Sequence, residues 1–417
     1  MTWSIAKKEI LENISGFRFI ILTVLLGLLM LVSIIISYGD FQARVEDYSI
    51  LRPGQDSENL IIEPNNVSTF VLGLDANMGR LFQLSALGIE VHSNQQSINR
   101  LFSLFLVPDM LFVIRVFLAL VAILFTFDAI SGEKESGTLK LTLASGGRRM
   151  SLFLGKLLGR SALVFVPFFL FFAVGAFVVS FLPDIQAGTY YWVSVGVILA
   201  ASAVYVFVFA SLGLFVSSVV PRSGTSLMLG LSFWALFVFV VPNLGTVIAE
   251  SVAPVPSADK VELQNRLTTI RAIFERIQAE KGAPAQGVGV QMVQQIWNSY
   301  RQMVETYRPK LNDQVRIARN INRFSPSGSL LFLLTDVTNT GLQEEMRLKE
   351  AIMQYVNQSF EHFLAGRKDA VQPFTYSRAS LGEVLVQSAF TDILVLVLFG
   401  LVFFGLAMAS FLRYDPR

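Results

Sequence analysis

The chain has 417 residues, of which 53% are hydrophobic and only 15% charged, with a formal net charge of +2. Soluble domains carry about one quarter charged residues, so this composition excludes an ordinary soluble protein and points to an integral membrane protein. So small a net charge argues against nucleic acid as a partner, and with no cysteine, neither disulfides nor thiolate metal sites are available.

Residues 1–18 are amphipathic, with Trp3, Ile5, Ile10, Leu11 and Ile14 set against Lys7, Lys8, Glu9, Glu12 and Asn13. The spacing predicts a cytoplasmic helix lying flat at the interface and anchored by Trp3. A plain polar lead-in to the first span is the simpler alternative. Residues 19–37 are apolar and long enough to cross a bilayer. They predict an uncleaved first span, with Lys7, Lys8 and Arg18 holding its start inside. Residues 38–109 then form a small mixed extracytoplasmic region, with short strands expected at 60–62, 70–72 and 88–91 and an interfacial stretch at 101–107.

The second span is expected over 110–127. Arg115 lies in its outer half. It snorkels to the headgroups, pairs with Asp109, or lines a transport path. Residues 128–160 are polar and hold six basic residues: Lys134, Lys140, Arg148, Arg149, Lys156 and Arg160. A short loop this basic is held on the cytoplasmic side.

Further spans are expected over 161–182, 192–220 and 225–249. Pro242 and Asn243 interrupt the outer end of the last, as a break beside a pathway or as a kink that neighbouring helices tolerate. Residues 250–387 predict a larger, mostly helical extracytoplasmic domain. Its helices are expected over 258–281, 290–323 with a break at Pro309, and 341–363, with a 282–289 linker and an apolar 330–334 segment. Mixed charges along these helices indicate solvated faces. The sixth span, 388–412, leads to a cytoplasmic tail at 413–417 with Arg413 and Arg417. The fold class is therefore an all-α polytopic membrane protein: six spans, an N-terminal interfacial helix, and two outer domains.

No catalytic signature is present. The chain lacks His-Glu-x-x-His, Gly-x-Ser-x-Gly and the Walker phosphate loop, and Gly155-Lys156 runs on into Leu157. His92 and His362 form no metal motif. Catalytic, cofactor and metal residues are expected to be absent, and an energy source must come from a partner.

The run from Phe127 through Asp128, Gly132, Glu133, Lys134, Glu135, Gly137 and Thr138 to Leu139 closely resembles the loop after the second span of ABC-2 type exporter permeases. Leu141, Leu143, Arg149 and Gly155-Lys156 fit the same pattern. Ala6-Lys7-Lys8-Glu9-Ile10 resembles the family's amphipathic N-terminal helix. Phe324-Ser325-Pro326 resembles its Ser-Pro turn before the last span. The enlarged region between spans five and six resembles one subgroup.

This resemblance implies two permease chains, identical or paired with a relative, on two ATPase subunits that bind ATP and magnesium. It further implies that residues 133–143 dock on the ATPase as a coupling helix. Glu133, Lys134 and Glu135 would offer charge-assisted contacts, and Leu139 and Leu143 one apolar ridge. Leu139, Leu141 and Leu143 also alternate as a strand would, so helix and strand both stand. Two functions fit: export of a substrate across the cytoplasmic (inner) membrane, or relay of ATPase motion to an extracytoplasmic protein without translocation.

Overall fold

The structure is a computed structural model and describes residues 2–52, 59–78, 81–85, 88–92, 109–144, 148–255, 288–364 and 374–414. Expectations for 101–107, 258–281 and most of the 282–289 linker fall outside the described residues.

Among the described residues, six helices are long and apolar enough to cross a membrane: Phe17–Leu51, Met110–Glu135, Arg149–Val179, Thr189–Val219, Ser223–Val252 and Leu381–Leu412. The second and fourth are the most enclosed. Around them pack fully buried rings, Phe168 and Phe172 of the third span and Tyr191, Tyr205 and Phe209 of the fourth. The first and fifth bury little of themselves and show aliphatic side chains such as Leu28, Leu31, Met228 and Val247. That is the surface a span presents to lipid, where apolar exposure costs nothing.

Several spans run past their expected ends, the first and third the furthest. The first continues to Leu51, because its polar tail finds partners: Arg44 bonds Asp40 at 3.0 Å and also Asp75. The third begins at Arg149, so the expected 128–160 loop is helical over its last third. Wide π-turns occupy Val113–Leu118, Leu236–Val240 and Leu385–Ala389 in spans two, five and six. Such turns free backbone carbonyls. Neighbours take several of them: Tyr205 Oη donates to Arg115 O at 2.7 Å and Trp234 Nε1 to Val116 O at 3.1 Å.

One end of the bundle carries the N-terminal helix Thr2–Ile14, the helices of the 131–144 region and the end of the last span. We call it the loop end. The opposite, domain end carries a three-stranded antiparallel sheet in the order β1 (Asn59–Leu60), β2 (Leu81–Ser85), β3 (Gly88–His92). Leu81 faces His92 across β2 and β3. The strand expected at 70–72 is absent. Asn65 instead caps a 3-10 turn, Asn66–Thr69, which delivers Phe70 to the bundle against Phe172 and Tyr191.

The two regions expected as separate domains meet in one core, where Leu60, Ile62 and Met78 pack with Trp297, Leu348, Ile352 and Phe374. Asp75 ties them further, accepting from Arg44 and from Arg378 at 3.0 Å. Helix Val288–Asn322 runs through Pro309 without a break. The apolar 330–334 segment belongs to a buried helix, Pro326–Val337, which packs into the bundle rather than into the domain. Ser325 caps it through Ser327 N at 3.1 Å, and the Ser325 hydroxyl donates to Phe237 O of the fifth span's π-turn.

Candidate docking site at the loop end

Beyond the apolar stretch of the second span the chain runs through a short helical segment, Ser131–Glu135, and then a separate helix, Thr138–Ala144. Gly137 separates them at φ +72°, a left-handed conformation that favours glycine and ends a helix. The Ser217 hydroxyl accepts from Ile130 N at 3.0 Å and Ser131 N at 2.9 Å, fastening the turn to the end of the fourth span.

The helix Thr138–Ala144 settles the choice between helix and strand, and it corrects the expected ridge. Leu139 is 1% exposed in a cluster with Phe153, Leu157, Leu214 and Phe411, and Leu143 packs against the same cluster. Residues four apart share a helix face, and here that face is turned inward. Leu141 points the other way and is 72% exposed. Ser136, Thr138, Lys140 and Ala144 are exposed with it.

The three charges are also engaged within the chain. Glu133 accepts from Lys156 Nζ at 2.7 Å. Lys134 donates to Ser218 O and lies 5.0 Å over the Tyr414 ring. Glu135 accepts from Ser223 N at 3.0 Å and Ser223 Oγ at 2.7 Å, and these bonds hold its carboxyl below the usual range. Arg149 donates to Leu412 O at 2.8 Å and Tyr414 O at 3.0 Å, closing the carbonyl end of the last span. The charge-assisted bonds expected of this loop therefore hold its own helices in place.

Sequence reasoning missed the network behind the loop. Glu9 of the N-terminal helix accepts from Lys156 Nζ at 2.8 Å and Arg160 Nε at 2.9 Å. Arg160 also donates to Asp128, which accepts from Arg18 at 3.2 Å. Three carboxylates and three cations thus alternate from Glu133 to Arg18, linking the loop to the N-terminal helix and the first three spans. Burial pushes the Glu9 carboxyl up, but the fields and hydrogen bonds of Lys156 and Arg160 outweigh it and hold the group below its usual range. Two glycines admit the N-terminal helix. A Cβ on Gly155 would lie 2.7 Å from Ile5 and one on Gly159 2.8 Å from Ala6 O. Glycines four apart were the available signal, since small residues at that spacing allow helices to approach closely.

The candidate pathway residues are dispersed. Arg115 sits in the π-turn of the second span, and its Nε has no partner. Among the described residues it forms no ion pair with Asp109. That carboxylate is spent on Phe112 N at 2.9 Å and Leu72 N at 3.3 Å. Pro242 is buried just after the fifth span's π-turn, and exposed Asn243 bonds back to Phe239 O at 2.7 Å.

Over residues 3–416 the chain matches the family described as "ABC-2 family transporter protein". It is 30% identical over 122 residues to the "Probable ABC transporter permease protein NosY" of Stutzerimonas stutzeri, a match covering 29% of this chain and 44% of that protein. The chain thus spans less than half the length of that relative. With the match running over nearly its whole length, and with six spans to carry it, this chain belongs to the ABC-2 family of transporter proteins.

Proposed function

We propose that the chain is the non-catalytic permease subunit of an ATP-driven exporter in a bacterial inner membrane, with the loop end in the cytoplasm. A separate pair of ATPase subunits binds ATP and magnesium and docks on the exposed face around Leu141. A second permease chain completes the transporter. One observation carries the docking reading. The helix Thr138–Ala144 is fastened beneath by Leu139, yet it leaves Leu141 72% exposed. A rigidly held helix with one free aliphatic side chain suits an apolar slot in a partner. The family match and the relative's description as a permease support the assignment.

The test is Leu141→Asp in the full chain with its co-purified ATPase. The expected result is loss of ATPase binding or of coupled hydrolysis, with thermal unfolding unchanged. Full coupling in the variant would remove the docking site from this face.

The second reading, relay of motion to an extracytoplasmic protein without translocation, is favoured by the single core shared by both extramembrane regions. Cargo-stimulated hydrolysis in liposomes would decide for export. Stimulation only by a soluble protein at the domain end would decide for relay.

A further inference from the structure

Where the long helix Val288–Asn322 meets the bundle, three charged side chains, Arg319, Asp336 and Asp392, are buried together, with half-buried Arg323 beside them. Arg319 Nη2 donates to Asp336 Oδ2 at 2.7 Å and Asp392 Oδ2 at 2.5 Å. Arg323 Nε donates to Asp392 Oδ1 at 2.6 Å. Asp392 is 0% exposed and Asp336 4%. The formal charges cancel, yet such a cluster contributes little net stability compared with apolar packing, while removing one member leaves a buried charge unpaired. A fixed joint would be made more simply from aliphatic side chains.

Two features mark the cluster as movable. First, its donors are unevenly used. Arg319 Nη2 carries two hydrogens but faces three acceptors, the third being Ser388 O at 3.2 Å, while Nε of the same guanidinium finds none. The guanidinium thus keeps an unused donor beside an over-shared one, so the bonds it makes here are not the full set it is able to make. Second, Asp392 lies three residues past the end of the π-turn Leu385–Ala389, and Ser388 belongs to that turn. A π-turn holds an extra residue in the helix and is a common place for a span to change its register.

The same helix reaches the other end of the joint. Trp297 packs in the domain core, 22 residues before Arg319, which at 1.5 Å per residue is a lever of about 33 Å. Near the bundle it also presses on the fifth span, where a Cβ on Gly245 would lie 2.0 Å from the Asn322 side chain.

We propose that Arg319, Arg323, Asp336 and Asp392 form a latch that moves the domain together with the end of the sixth span, the π-turn Leu385–Ala389 giving way as they move. This goes beyond the docking reading and rests on it only in requiring that nucleotide state reshapes the bundle. The four side chains are positioning residues, and neither cargo nor nucleotide touches them in this scheme.

The chain has no native cysteine, so spin labels can be placed at Gln302→Cys on the lever and Thr189→Cys at the start of the fourth span, both exposed positions. The full chain, in nanodiscs with its co-purified ATPase, is measured without nucleotide and with a non-hydrolysable ATP analogue. The expected result is a nucleotide-dependent shift in the label distance that Asp392→Asn abolishes while the ATPase still binds. A shift of the same size in the variant overturns the latch, as does no shift in the unsubstituted chain. If Asp392→Asn does not assemble, Arg319→Lys replaces it, retaining a cation but losing the forked donors, with the same outcomes. If no ATPase co-purifies, the docking reading fails separately. The latch is then read in the chain alone: Asp392→Asn must broaden the label distance distribution, and an unchanged width overturns it.

Discussion

Leu139 and Leu141 lie two residues apart on one short helix and have opposite fates. Leu139→Ala removes side-chain atoms from a closed cluster and is expected to cost about 2–5 kcal/mol. Leu141→Ala removes them from solvent and is expected to stay within about 0.5 kcal/mol. Thermal unfolding of the two variants in one detergent checks this, and equal losses would contradict the helix orientation. Asp109 supplies a pH dependence. Burial pushes its carboxyl from 3.8 up to about 6, against two backbone N–H bonds and the charge of Arg115. Its proton is held more tightly in the folded protein, so its contribution is full below 3.8 and is lost as pH rises through about 6. Asp109→Asn keeps a capping side chain but does not titrate. The variant is expected to gain melting temperature relative to the unsubstituted chain between about pH 4 and pH 6, with a constant difference above that range.

At the scale of elements, the packing of the N-terminal helix on the third span is the most exposed to test. Gly159→Ala drives a methyl to 2.8 Å from a backbone oxygen, which cannot move aside as a flexible side chain would. The expected cost is about 1–3 kcal/mol, as for an overpacked core, together with weaker restraint of Glu9 on Lys156 and Arg160. A label on the exposed N-terminal helix residue Lys8→Cys should become more mobile by electron spin resonance, and unaltered mobility would show that the glycine pair is not what seats the helix. This contact was half legible in the sequence. Amphipathicity disclosed the helix, but Lys156 and Arg160 read as loop charges, because a list of residues does not show that a carboxylate 147 or 151 positions away neutralises them. Arg44 hid the end of the first span for the same reason. The spans themselves were plain, since apolar length is a local property. Pro326–Val337 was not, because 12 residues are too few to cross a membrane and nothing local distinguishes a domain helix from one inserted into the bundle.

For the whole molecule, the scheme depends on which side each end faces. In the proposed topology the six spans set the N-terminal helix, the helix Thr138–Ala144 and the end of the last span on one side, and the shared domain on the other. Basic residues cluster at the loop end in Lys7, Lys8, Lys140, Arg148, Arg149 and Arg413, and short basic segments are retained in the cytoplasm. Long segments such as the domain translocate largely regardless of charge, so its own Lys and Arg do not oppose this. The absence of native cysteine makes the test direct. Lys140→Cys and Gln302→Cys both replace exposed side chains. In intact cells a membrane-impermeant maleimide is expected to label Gln302→Cys and to reach Lys140→Cys only after the membrane is opened. The reverse pattern would put the domain in the cytoplasm and leave the Leu141 face where no ATP-driven partner could meet it.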